Sequence, residues 1–135
     1  MYKRQEGFLQ FTKIGGIDDR ILLAQKVMVH TEKGPLHGII GSKPPHIQKE
    51  EERKKVMTYD ELFIDIGAEN QEEAKKMGVK IGDPVSFDIK FAKISNDIVI
   101  GKAFDDRVGC AVMIEAMKQL KETECTVYAL SLIHI

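Results

Sequence analysis

Up to about residue 96 the chain is built from short runs of alternating apolar and polar side chains, each closed by glycine or proline. That period of two predicts half-buried β-strands rather than helices. Phe8–Lys13 is strand-like, and Gly15-Gly16 stops it. Lys26–His30 alternates, Glu32-Lys33-Gly34-Pro35 supplies a turn longer than a two-residue hairpin loop, and Leu36–Ile40 returns as the second strand. Gly41–His46 contains Pro44 and Pro45, which lack the N–H that a central strand needs. The charged run Gln48–Lys55 predicts a solvated short helix or loop. Leu62–Ile66 predicts a strand ending at Gly67, and Val85–Phe91 another, with Val85, Phe87, Ile89 and Phe91 on one face. Between them, Asn70–Gly78 predicts a short helix: acidic residues come early, basic residues late, and glycine just past the end. A small β-barrel or sandwich with short helices at its ends fits this region.

The pattern changes near Asp97. The β-branched run Ile98-Val99-Ile100 is followed by Gly101 and then by a helical pattern reaching about Leu120. Val108, Cys110, Ala111, Val112 and Ile114 make the first half of that helix apolar on most sides, as in a helix pressed against a sheet. Cys125–Ala129 predicts the next strand, so strand, helix and strand open an α/β layer. The expected organisation is α+β, with one domain over residues 6–96 and the start of a second over 97–129. The termini are expected to be foreign to both. Met1–Gln5 and Leu130–Ile135 can be encoded by DNA strings that are reverse complements of each other and match a transposase adapter end. Residues 1–5 and 130–135, His134 included, are therefore expected to derive from adapter DNA and to carry no functional weight.

Composition narrows the function classes. A hydrophobic fraction of 43% with 30% charged residues describes a protein able to form an ordinary core. A formal net charge of −1 argues against a dedicated nucleic-acid partner, and no apolar run is long enough to span a membrane. A cytoplasmic location is expected. Cys110 and Cys125 form no metal pair or disulfide framework and are expected as buried small hydrophobes in a reducing compartment.

The chemistry concentrates in Gly101-Lys102-Ala103-Phe104-Asp105-Asp106-Arg107-Val108-Gly109. Adjacent carboxylates stand where a strand ends and a helix begins, the place where α/β sheets deliver functional side chains. A carboxylate there can bridge two divalent cations, one to each oxygen. The same pattern also suits a helix cap, in which Asp105 or Asp106 accepts a hydrogen bond from a first-turn N–H, and caps are far commoner than metal bridges. Other candidates are weaker. His30, His37 and His46 have no zinc-ligand spacing and are expected to be solvated or hydrogen-bonded. Asp18-Asp19-Arg20 repeats the Asp-Asp-Arg triplet but follows a glycine turn and is expected as a surface loop. Gly38 and Gly41 do not open a phosphate loop.

The stretch at 101–109 resembles the metal-binding turn of the tetrahedral aminopeptidases, a family of dinuclear metallopeptidases (peptidase family M forty-two). The likeness extends through Gly38–His46, Leu62–Ala68, Glu72-Glu73-Ala74 and Gly78–Asp83, in the family's order and spacing. The resemblance implies an α/β catalytic domain interrupted by a β-barrel dimerisation domain. It further implies dimers assembled into a dodecamer, a peptide substrate, and two divalent metal ions per subunit, with zinc or cobalt favoured. On this basis Asp105 corresponds to the carboxylate bridging the two ions. Asp106 would be a positioning residue, joined to it by a peptide that relatives often hold cis. The general-base glutamate and the other ligands would lie in sequence flanking this chain, so the chain alone is expected to be inactive. Two other classes stay open: a β-barrel oligomerisation module without catalysis, and a glycoside hydrolase using paired acids, since some relatives carry endoglucanase names.

Overall fold

A computed structural model describes residues 7–48, 50, 54–122 and 124–132; the centre of the Gln48–Lys55 run and His134 lie outside the described residues. Two compact units result, Met1–Asp88 and Ile89–Ile135. Together their described elements are mixed α and β, in keeping with the expected α+β class.

In the first unit, β1 (Lys26–Thr31), β2 (Gly34–Gly41), β3 (Phe63–Asp65) and β4 (Val85–Phe87) form an antiparallel sheet in the order β3-β2-β1-β4. Alternation decides which face turns inward. Val27 and Val29 of β1, Ile40 of β2 and Ile64 of β3 are buried, joined by Leu22, Leu62, Ile66, Ala68 and Ala74. The first segment adds only a bridge: Leu9 exchanges backbone hydrogen bonds with Ile64 at 2.9 and 2.8 Å, and Phe8 stacks on Phe63. The expected strand over Phe8–Lys13 is otherwise irregular.

The β1–β2 connection is tighter than the residue pattern predicts. Thr31 pairs with Gly34, so Glu32-Lys33 is a two-residue loop, and Gly34 and Pro35 belong to the strand. Gly34 takes a φ of +118° that a side chain would resist. Pro35 is tolerated because β3 pairs with β2 only from Ile39 to Gly41, so among the described residues that end of β2 has no strand on its far side. Beyond the loop, Lys33 Nζ donates to Lys76 O at 2.7 Å and so satisfies a carbonyl at the end of α1 (Gln71–Lys76). Asn70 caps the other end, its side chain accepting from Glu73 N at 3.0 Å.

In the second unit, β5 (Ala92–Lys93) pairs with β6 (Val99–Ile100), and α2 (Phe104–Gln119) follows. The pairing of β5 with β6 draws residues 92–93 into this unit, so the division falls at Asp88, ahead of the expected position near residue 96. No described residue from 89 to 132 is buried, and Val108, Val112 and Ile114 of α2 stand exposed. The strand expected at Cys125–Ala129 does not form among the described residues, where this segment is irregular. Cys125 is exposed and Cys110 half-buried, its Sγ 3.3 Å from Ser131 Oγ, which corrects the expectation that both are buried.

Gly38, paired with Val27, leaves little room for a side chain. A Cβ there would lie 2.8 Å from Ile64 Cγ2 and 3.0 Å from Asp65 O. Gly38→Ala is expected to cost about 1–3 kcal/mol by overpacking. A lowered urea midpoint with unchanged slope would agree; an unchanged midpoint would show that the sheet has room to relax.

Candidate metal-binding turn

The chain reverses between β6 and α2 through Ala103, whose φ of 58° and ψ of 41° are left-handed, an uncommon conformation for a residue with a Cβ. Asp105 (φ −87°, ψ 109°) is extended and Asp106 (φ −116°, ψ 45°) is also non-helical, so regular helical backbone begins at Arg107. The peptide between the two aspartates is cis.

The two carboxylates have different employment. Asp106 Oδ1 accepts a hydrogen bond from Gly109 N at 3.0 Å, three residues on, as an N-cap does. Asp105 accepts no hydrogen bond and joins no ion pair among the described residues, and its side chain is exposed. The capping role thus falls on Asp106, and Asp105 keeps both oxygens free. Residue patterns alone could not divide the roles, because either aspartate can cap a helix starting one residue later. Gly109, the partner in that cap, was not singled out by sequence; the available signal was a glycine three residues after an aspartate inside a helical run.

The second Asp-Asp-Arg triplet shows the opposite allocation. Asp19–Ile21 is a single 3-10 turn rather than a plain loop, with Asp18 as its N-cap. Asp18 accepts from Arg20 N at 2.9 Å and from the Arg20 guanidinium at 2.5–3.0 Å. Those hydrogen bonds, the side-chain ones foremost, hold the Asp18 carboxyl at about 2, below the ordinary carboxylate range, and raise the Arg20 guanidinium in turn. Asp19 is taken as well, by Lys13 Nζ at 2.5 Å and Tyr59 N at 3.3 Å. Neither acid is available to a ligand.

The histidines also have structural explanations. His30 Nε2 lies 2.8 Å from Ser86 Oγ and His37 Nδ1 lies 3.4 Å from Asp88 Oδ2, while His46 is exposed on the separate turn Pro45–Ile47. Among the described residues no group of three or more His, Cys, Asp or Glu side chains could enclose a metal ion. The donor chemistry at Asp105 nevertheless fits a divalent cation: a hard, ionisable, unclaimed carboxylate held on extended backbone between a strand and a helix.

Comparisons with known proteins give the turn a context. The profile of the M42 glutamyl aminopeptidase family matches residues 4–134. The lysyl aminopeptidase of Pyrococcus furiosus is 36% identical over 125 residues, covering 92% of this chain and 36% of that protein. Among solved structures, the TET aminopeptidase of a Thaumarchaeota archaeon from marine sediment superposes with a TM-score of 0.82 at 49% identity, covering 85% of this chain and 33% of that one. The TET1 peptidase of Pyrococcus horikoshii, which can assemble into a tetrahedron or a large octahedral shell, gives 0.74 at 46% identity, covering 86% and 34%. The class defined by these relatives is that of the peptidases. More narrowly, the chain belongs to the M42 glutamyl aminopeptidase family. It spans about a third of the length of the relatives it matches.

The Asp18–Arg20 arrangement predicts a titration. Because the folded carboxyl sits below its unfolded value, whatever stability the pair supplies is present above the ordinary carboxylate range and lost as pH falls towards 2. Arg20→Ala is expected to return the Asp18 midpoint to about 4, read by carboxyl NMR. A midpoint that stays at about 2 would rule out the guanidinium as its cause.

Proposed function

We propose that this chain is the part of a metal-dependent aminopeptidase that supplies Asp105 as the carboxylate shared by two divalent ions. The observation that carries the reading is the division of labour at the turn: Asp106 occupies the helix cap, and Asp105 is left with two unclaimed oxygens. A bridging ligand needs that freedom, since each oxygen must face a different cation. The two ions, zinc or cobalt by family, would when bound polarise the scissile carbonyl and activate water for removal of the N-terminal residue of a peptide. This chain's contribution is to hold one carboxylate still, and the remaining ligands and the glutamate general base belong to segments of the intact protein outside it. Asp106 is a positioning residue on the same reading, because its cap sets where the helix begins and hence where Asp105 stops.

Support for a homo-oligomer comes from the likeness to TET1, which can assemble into a tetrahedron or a large octahedral shell; on the same reading the β3-β2-β1-β4 sheet belongs to the dimerisation barrel that the family resemblance implies. A glycoside-hydrolase parent is disfavoured at this turn. That chemistry needs two carboxyl groups facing one sugar, and the Asp106 carboxylate is committed to Gly109 N–H.

In the intact protein, Asp105→Asn is expected to lower hydrolysis of an aminoacyl p-nitroanilide by at least about a hundredfold and to reduce bound metal. The isolated chain should show no hydrolysis above buffer with either zinc or cobalt. Wild-type activity and metal content in the Asn variant would contradict the assignment of Asp105; glucan hydrolysis by the intact protein, insensitive to chelator, would replace the peptidase reading altogether.

A further inference from the structure

Gly109 stands in the first turn of α2, where glycine lowers helix stability relative to alanine. Backbone conformation does not call for it. Its φ is not left-handed, unlike those of Gly7, Gly15, Gly34, Gly67, Gly78 and Gly82. What calls for it is the carboxylate above it. A Cβ on residue 109 would lie 2.5 and 2.6 Å from the two Asp106 carboxylate oxygens and 2.8 Å from Asp106 Cγ. The obstacle is therefore the capping group itself, which also accepts from Gly109 N at 3.0 Å. An alanine there would displace the Asp106 carboxylate from this position and weaken its bond to the residue-109 N–H. Residues 105 and 106, now non-helical, would lose the contact that ends the helix at Arg107.

From this geometry we propose that Gly109 is a positioning residue for the metal site: its missing side chain seats the Asp106 cap, and the seated cap fixes the direction of Asp105. The proposal rests on the reading of Asp105 as a metal ligand, and it extends that reading to a residue that touches neither metal nor substrate. It also predicts a coupling. The three atoms nearest such a Cβ all belong to the Asp106 carboxylate, so the two positions are expected to act through one contact.

The test is a double-mutant cycle on the intact protein, with zinc uptake by the apo form measured calorimetrically for wild type, Gly109→Ala, Asp106→Ala and the double variant. Wild type is expected to bind two ions. Gly109→Ala should weaken the less tightly held ion by about tenfold or more while its far-UV dichroism is unchanged. Asp106→Ala should show a similar loss, and adding Gly109→Ala to it should cause no further loss. If Gly109→Ala does not fold, the comparison of Asp106→Ala with the double variant decides alone, because removing the carboxylate removes the clash. Wild-type zinc affinity in Gly109→Ala, or an additional loss of equal factor in the double variant, overturns the proposal while leaving the peptidase reading intact. A wild type that binds no zinc overturns both, and is seen before any variant is compared.

Discussion

A helix begins with N–H groups that its own turns cannot satisfy, and something outside the regular backbone must accept from them. In α2 that acceptor is the Asp106 carboxylate, bonded to Gly109 N. The consequence reaches one residue back. With Asp106 spent on the cap, Asp105 stays extended ahead of the regular helical backbone that begins at Arg107, and it is unclaimed among the described residues. The same three residue types at positions 18–20 lead elsewhere because their carboxylates are absorbed by Arg20, Lys13 and Tyr59 N. Identical triplets thus acquire opposite fates from which hydrogen-bond donors reach them, and a free carboxylate is a property of surroundings rather than of sequence.

The two units differ in how far they satisfy their own chemistry. In the first, Val27, Val29, Ile40, Leu62 and Ile64 are buried, and Lys33 ties the β1–β2 loop to the end of α1. In the second, no described residue is buried, and α2 shows apolar side chains on the exposed face carrying Val108 and Val112. A helix with that composition is suited to burial, and the relatives that the chain matches are about three times as long.

Much of the first unit was legible before its coordinates. The alternation in Lys26–His30 and the run Leu62–Ile66 predicted strands where β1 and β3 lie, and the charge order and terminal glycine of Asn70–Gly78 predicted α1. The errors have physical causes. Gly34-Pro35 has turn chemistry, yet it lies in β2 where the strand has no second neighbour. Ile89 and Phe91 continue the period of β4, but the pairing with β1 stops at Phe87. Cys125–Ala129 has strand composition but takes no regular strand conformation. At the site, the residue pattern located the turn and family likeness pointed to Asp105, whereas the close approach of the Asp106 carboxylate to Gly109 is visible only in the structure. Local pattern encodes period and propensity; it does not encode which of two adjacent acids finds a donor.

The most direct test is a crystal structure of the intact protein soaked in zinc, with anomalous scattering used to place the ions. The account requires two ions about 3.5–4 Å apart, one on each oxygen of Asp105, with Asp106 still bonded to Gly109 N–H. Ions bound without Asp105, or a single ion held by Asp106 in place of the cap, would contradict it.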